Sequence, residues 1–235
     1  MTQAVMTEEE KYYFDLRGHL VVPSVLDADE IAVCIAAIEH HASQIRTRDV
    51  DGGGLAGGSP TLMGREGRQE LTGMLGWPEP HCIPFRPLLA HPHVVSRLNI
   101  MCGPEDGGFA CVAGSHKSGF PIPYGVKTAD EDMGLVEQPS LQARDVLFFM
   151  DGAQSHGPMP WQAEHERRSV LFKYASCTAT RTGKSRELAD PEVFWGEELV
   201  AGMTAEERVV MHGPCSSLSE GVRLTVENGE VHVLE

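Results

Sequence analysis

Residues 145–174 read DVLFFMDGAQSHGPMPWQAEHERRSVLFKY, and their reading decides the fold. Val146, Leu147, Phe148 and Phe149 form a short apolar run between Asp145 and Asp151-Gly152, the pattern of a buried strand. Residues 169–174, SVLFKY, predict a second strand. The loop between them carries His156, Trp161 and His165 and ends on Arg167-Arg168. A lone histidine in a loop is ordinarily a half-exposed polar residue. Arginines heading the next strand change that expectation, because antiparallel pairing would lay them beside the imidazole. A metal-binding imidazole next to a guanidinium suits a dicarboxylate that chelates the ion and docks its far end on arginine. Strand alternation selects between the two arginines. With Arg168 inward, Val170, Phe172 and Tyr174 share its face; with Arg167 inward, Lys173 is buried near another cation. The first arrangement is cheaper, so Arg168 is the expected anchor and Arg167 turns to solvent or to Glu164 and Glu166. Trp161 serves equally as a wall of the loop or as a substrate contact.

The loop Ser155-His156-Gly157-Pro158-Met159-Pro160-Trp161 is followed by Glu166-Arg167-Arg168-Ser169-Val170-Leu171-Phe172-Lys173-Tyr174. Upstream stand Asp106-Gly107-Gly108-Phe109 and Gly114-Ser115-His116-Lys117. In this order the segments resemble the phytanoyl-CoA dioxygenase-like branch of the iron(II)/2-oxoglutarate-dependent oxygenases. The resemblance implies a β-rich mixed α/β fold, a double-stranded β-helix (a cupin-like jelly roll) with N-terminal helices. It implies Fe(II) on His156 as the distal ligand and 2-oxoglutarate gripped by Arg168 beside Arg167. It also implies hydroxylation of a small organic substrate. Periodicity alone supports only a mixed, β-rich core with helices at the N-terminal end. The chain departs from the family after Gly103, where Pro104 and Glu105 run directly into Asp106-Gly107-Gly108. About four strands of a jelly roll, on the order of 40–60 residues, have no counterpart there. No His-x-Asp or His-x-Glu occurs in the sequence, so the motif does not supply the rest of a 2-His-1-carboxylate face. Half a jelly roll would expose long strand edges. Either further strands complete it, or a second copy of the chain does and the protein is a homo-oligomer. The alternative function is a non-catalytic jelly-roll binding or scaffold protein; a weaker one is an isomerase or hydrolase using another metal.

With 235 residues, 41% hydrophobic and 23% charged, the chain suits one domain with a substantial core. Its expected parts are an N-terminal helical part (1–103), core strands (104–176) and a C-terminal extension with a hairpin (177–235). A net charge of −15 argues against nucleic acid or an anionic membrane as partner. The acidic N-terminus does not read as a signal peptide, and the six cysteines show no CxxC pair, so buried thiols in a reducing cytoplasm are expected.

Thr7 to Glu10 and Asp27 to Glu30 read as helix starts flanking a strand at His19-Leu20-Val21-Val22. The second helix should turn Ile31, Cys34, Ile35 and Ile38 to the core. Residues 51–58, DGGGLAGG, read as a linker. His91-Pro92-His93 reads as a turn before a helix from His93, not as a two-His metal site, and His116 as a turn residue hydrogen-bonded to backbone. Thr204 to Glu207 predicts a short helix, and Asn228-Gly229 predicts a hairpin.

Overall fold

A computed structural model describes residues 6–48, 68–98, 109–159, 168–176, 189–214 and 223–234. Its helices are α1 (Glu8–Arg17), α2 (Ala28–His40), α3 (Arg86–Leu89), α4 (Pro92–Leu98), α5 (Tyr124–Lys127), α6 (Pro191–Trp195), α7 (Glu197–Val200) and α8 (Ala205–Val210). Its strands are β1 (His19–Val22), β2 (Arg46–Arg48), β3 (Arg68–Glu70), β4 (Phe109–Val112), β5 (Val136–Glu137), β6 (Val146–Phe149), β7 (His156–Pro158), β8 (Arg223–Glu227) and β9 (Glu230–Leu234).

The capping boxes form where the sequence places them, with Thr7 and Glu10 closing α1, Asp27 and Glu30 closing α2, and Thr204 and Glu207 closing α8. Each satisfies two amides that the first turn leaves without helical partners. Gly18 ends α1 at φ 79°, and a Cβ there would meet His116 Nδ1 at 2.6 Å and Gln154 Nε2 at 2.9 Å. Only glycine allows both that angle and that approach. The turn at Ser115-His116-Lys117 docks on this helix end: His116 Nε2 lies 2.9 Å from the Asp15 carbonyl, and Lys117 Nζ reaches Asp15 Oδ2 at 2.6 Å. α4 starts at Pro92, one residue before the expected His93. Proline suits a first helical position, since its missing N–H has no helical partner in any case.

Two sheets position the motif loop. β1 pairs antiparallel with β6, from His19↔Phe149 to Val22↔Val146. β4 lies between β5 and β7, with Cys111 opposite His156. Alternation gives the β1–β6 ribbon two buried faces. On one, Leu20, Val22 and Phe148 pack with Met6, Phe14 and Val25. On the other, Leu147, Phe149 and Val21 meet Phe109 and Cys111 of β4. Each such side chain contributes about 1.5–3 kcal/mol on burial. The described strands otherwise form small separate sheets, β2–β3 and β8–β9, rather than one closed jelly roll. They run from two residues (β5) to five (β8 and β9), so each ladder holds few hydrogen bonds and reaches few neighbours.

Two further clusters complete the core. Cys34 and Ala37 of α2 pack with Trp77, Cys82 and Phe85, and Ile38 joins them. Ile35, expected inward, is 37% exposed; the buried stripe runs instead through positions 34, 37 and 38. Val200, Met203 and Met211 pack on Leu89, so the C-terminal extension shares a core cluster with the N-terminal part. The hairpin turn forms with Asn228 at φ 53° and Gly229 at φ 86°. Cys34, Cys82 and Cys111 are buried free thiols. No helix among the described residues is long and apolar enough to cross a membrane. The 51–58 linker lies outside the described residues.

Arg97 is fully buried and bonds Glu10 Oε1 at 2.7 Å, while Glu10 Oε2 accepts the Thr7 amide. Removing the carboxylate takes a charged partner from a buried guanidinium and opens the α1 capping box. Glu10→Ala is therefore expected to lower the free energy of urea unfolding by about 3–5 kcal/mol. The exposed Glu8→Ala should change it by less than about 0.5 kcal/mol.

Candidate functional site

His156 stands at the start of β7, against Phe149 (ring centroids 4.7 Å apart) and Phe109 (6.0 Å). Its Nδ1 lies 2.9 Å from the Gln154 carbonyl, which accepts the Nδ1 proton. That bond leaves the Nε2 lone pair facing Asp151 Oδ1 at 3.4 Å. Two acceptors face one another, an arrangement satisfied by a proton on Nε2 or by a cation between the two. The other Asp151 oxygen binds Lys173 Nζ at 3.0 Å.

Arg168 has a carboxylate partner from α2. Its Nη1 contacts Glu39 Oε1 of α2 at 3.2 Å, with the two side chains 32% and 60% exposed. Such a pair contributes at most about 1 kcal/mol. The structure thus gives the two expected site residues different partners, and the second expected strand does not form: residues 168–176 join no ladder. Side-chain packing holds this segment instead. Val170 and Phe172 pack on the Trp77 cluster, and the Tyr174 hydroxyl donates to the Leu88 and Leu89 carbonyls at 3.4 and 3.2 Å. Burial pushes the Tyr174 phenol well above its ordinary range. The expected alternation holds only in part: Val170, Phe172 and Tyr174 are half-buried and Ser169 and Lys173 exposed, but Leu171 is half-buried too and Arg168, expected inward with 170, 172 and 174, is exposed. Arg167, Trp161, His165 and the Asp106-Gly107-Gly108 motif lie outside the described residues.

His19 lies near the same end of the sandwich, paired with Phe149 and against Cys111, the residue opposite His156. His19 is 3% exposed, and its Nδ1 is 3.4 Å from Cys111 Sγ. Burial pushes the Cys111 thiol up to about 12, with Glu137 adding to the rise and Arg17 opposing it. Burial also holds the His19 imidazole below its ordinary value; Glu137 raises it and Arg17 lowers it further. A cleft of about 600 Å3 opens over His19, lined also by Tyr13, Glu137 and Ser140 but not by His156.

A third group was missed by sequence reasoning. His40 ends α2, His41 follows it, and His81 arrives from the turn before Ile83–Phe85. Each offers one donor atom, and the three lie within 4.8 Å of one another. The His40 and His81 rings stack at 3.9 Å, and His41 stacks on Trp77 at 4.1 Å. Burial lowers the pKa of His41, as do His81 and His40 beside it. The adjacent histidines were visible in the sequence, but nothing local joined them to position 81. His91-Pro92-His93 opens α4 rather than forming the expected turn before it, and the His91 Nδ1 accepts the His93 amide at 3.3 Å. Burial lowers the His91 pKa, and His93 lowers it further against the opposing Glu30.

No family model matches this sequence, and no curated protein does. Among solved structures, HygX from Streptomyces hygroscopicus with nickel, 2-oxoglutarate and hygromycin B bound superposes with a TM-score of 0.43 at 17% identity, covering 66% of this chain and 82% of HygX. HygX with nickel and 2-oxoglutarate bound gives a TM-score of 0.43 at 15% identity, over 67% and 83% of the two chains. At that score and identity the superposition assigns neither fold nor activity to this chain.

The lowered His19 pKa has a definite sign. The unfolded chain takes up the proton near the ordinary value of 6.5 and the folded chain only at lower pH. The stability from His19 is therefore full above that value and lost as pH falls through it toward the folded pKa. Urea unfolding should show a loss below pH 6.5, to which His19 contributes up to about 1.4 kcal/mol per pH unit. His19→Gln is expected to flatten that slope, leaving the part due to His41 and His91.

Proposed function

We propose that this chain is a double-stranded β-helix oxygenase dependent on iron(II) and 2-oxoglutarate and acting on a small organic substrate. The observation that carries the reading is the opposition of His156 Nε2 and Asp151 Oδ1 at 3.4 Å on the motif loop. Two donors bound to one ion at about 2.0–2.2 Å and near right angles stand about 3 Å apart, so this pair fits a single cation. The fit extends to these two ligands. Among the described residues the one group of three candidate donors is His40, His41 and His81, so no third ligand joins His156 and Asp151 there.

Bound at His156 and Asp151, iron with 2-oxoglutarate supplies the oxygen activation that hydroxylation requires. The chain's own residues prepare the place. The Gln154 carbonyl orients the imidazole, Lys173 holds the Asp151 carboxylate, and Phe109 and Phe149 keep water from one side of the ring. Arg168 would serve as the cosubstrate anchor by exchanging Glu39 for the far carboxylate of 2-oxoglutarate. Releasing an exposed ion pair costs little, and a bidentate carboxylate replaces it.

A second reading, a non-catalytic binding or scaffold protein, draws on the Arg168–Glu39 pair and the two-ligand set. Anaerobic addition of Fe(II) and 2-oxoglutarate to tag-free protein separates the two. The oxygenase reading expects a weak visible charge-transfer band, lost in His156→Ala and diminished in Asp151→Asn. Arg168→Ala should weaken 2-oxoglutarate binding by about 10- to 100-fold. A spectrum without the band, together with no iron retained on desalting, contradicts the reading and favours the second.

A further inference from the structure

We propose that His40, His41 and His81 form a second, independent metal site, specific for a late first-row divalent ion with zinc foremost. Three imidazoles are the donor set that such ions prefer. Their donor atoms already lie within 4.8 Å of one another, against about 3.4 Å between ligands of a tetrahedral ion. Small ring rotations close that gap. His40 is exposed and His81 half-buried, so both can turn. His41 cannot: it is 7% exposed and stacked on Trp77.

The buried ring supplies an independent sign of a ligand. His41 Nε2 has no hydrogen-bond partner, although it is buried. A buried polar nitrogen left without a partner costs about 1–3 kcal/mol, and a metal ion would satisfy it. The other ring nitrogen, Nδ1, sits 3.1 Å from the Gln44 amide. Turned about its last bond, that amide presents its oxygen to an Nδ1 proton. The ring then holds its lone pair on Nε2, the nitrogen left without a partner. This is how an outer partner commonly sets the tautomer of a ligating histidine.

The surroundings favour a cation. His40 and His41 stand at the C-terminal end of the 13-residue α2, where the carbonyl ends of the helix dipole carry partial negative charge. The frame is firm, because Cys82 and Phe85, just after His81, are buried at 1% and 0% exposure in the cluster that holds Trp77 and α2. The exposed side of His40 leaves a coordination position for water, as in sites with three protein ligands.

Isothermal titration of the tag-free, chelator-stripped 235-residue chain with zinc chloride tests the assignment, with nickel chloride quenching of Trp77 fluorescence in a Trp161→Phe/Trp195→Phe background as a local readout. We expect a saturable zinc site that is retained in His156→Ala. His40→Ala and His81→Ala, both at accessible positions, should each weaken it by about 10- to 100-fold or more and abolish the quenching. His156→Ala protein that keeps the zinc site while losing any iron band separates this site from the oxygenase reading. Zinc affinity equal in the wild type and the His40→Ala/His81→Ala double variant overturns the proposal, as does zinc binding lost only in His156→Ala.

Discussion

The antiparallel pairing of His19–Val22 with Val146–Phe149 is the constraint on which the rest of the arrangement depends. It joins segments more than a hundred residues apart, and both faces of the ribbon are buried. A shift of one residue would exchange the two faces and send Val22 and Phe148, with 0% and 1% exposure, into the wrong cluster. The ends are tied as well. Val25 and Leu26 donate to the Arg144 carbonyl, Ser24 donates to the Asp145 carboxylate, and Met150 donates to the Gly18 carbonyl. The loop carrying Asp151 and His156 leaves directly from the end of this ribbon, so the register of four residue pairs decides where the candidate ligands sit.

Electrostatics at the two histidine sites follow one rule. Each has a ring nitrogen fixed by a local partner, Gln154 for His156 and Gln44 for His41. At each, the remaining nitrogen either faces an acceptor or faces nothing. Buried imidazoles are held neutral where burial dominates, as at His19 and His41. A neutral imidazole is the form that binds metals. At His41, stability and the proposed metal affinity would draw on the same desolvated ring.

Local features were legible in the sequence because local chemistry decides them. Capping boxes at Thr7, Asp27 and Thr204 and the Asn228-Gly229 turn depend on neighbours within a few residues, while the strands at 19–22 and 146–149 were legible as apolar runs although each needs the other as its partner. His116 as a backbone-bonded turn residue was legible for the same reason. The strand expected over 169–174 failed because a strand needs a partner, and the apolar side chains there found the Trp77 cluster instead. The pairing of Arg168 with Glu39 and the meeting of His81 with α2 depend on long-range packing that periodicity does not encode. For the jelly roll, the described strands supply two packed sheets; closure is part of the proposed function.

Hydrogen exchange followed by mass spectrometry tests the central pairing most directly. Peptides covering 19–22 and 146–149 should share the slowest exchange in the molecule, with one opening free energy equal to that of global unfolding in urea. Exchange of either peptide at the rate of the exposed 118–124 segment, or two unrelated opening free energies, would contradict the account.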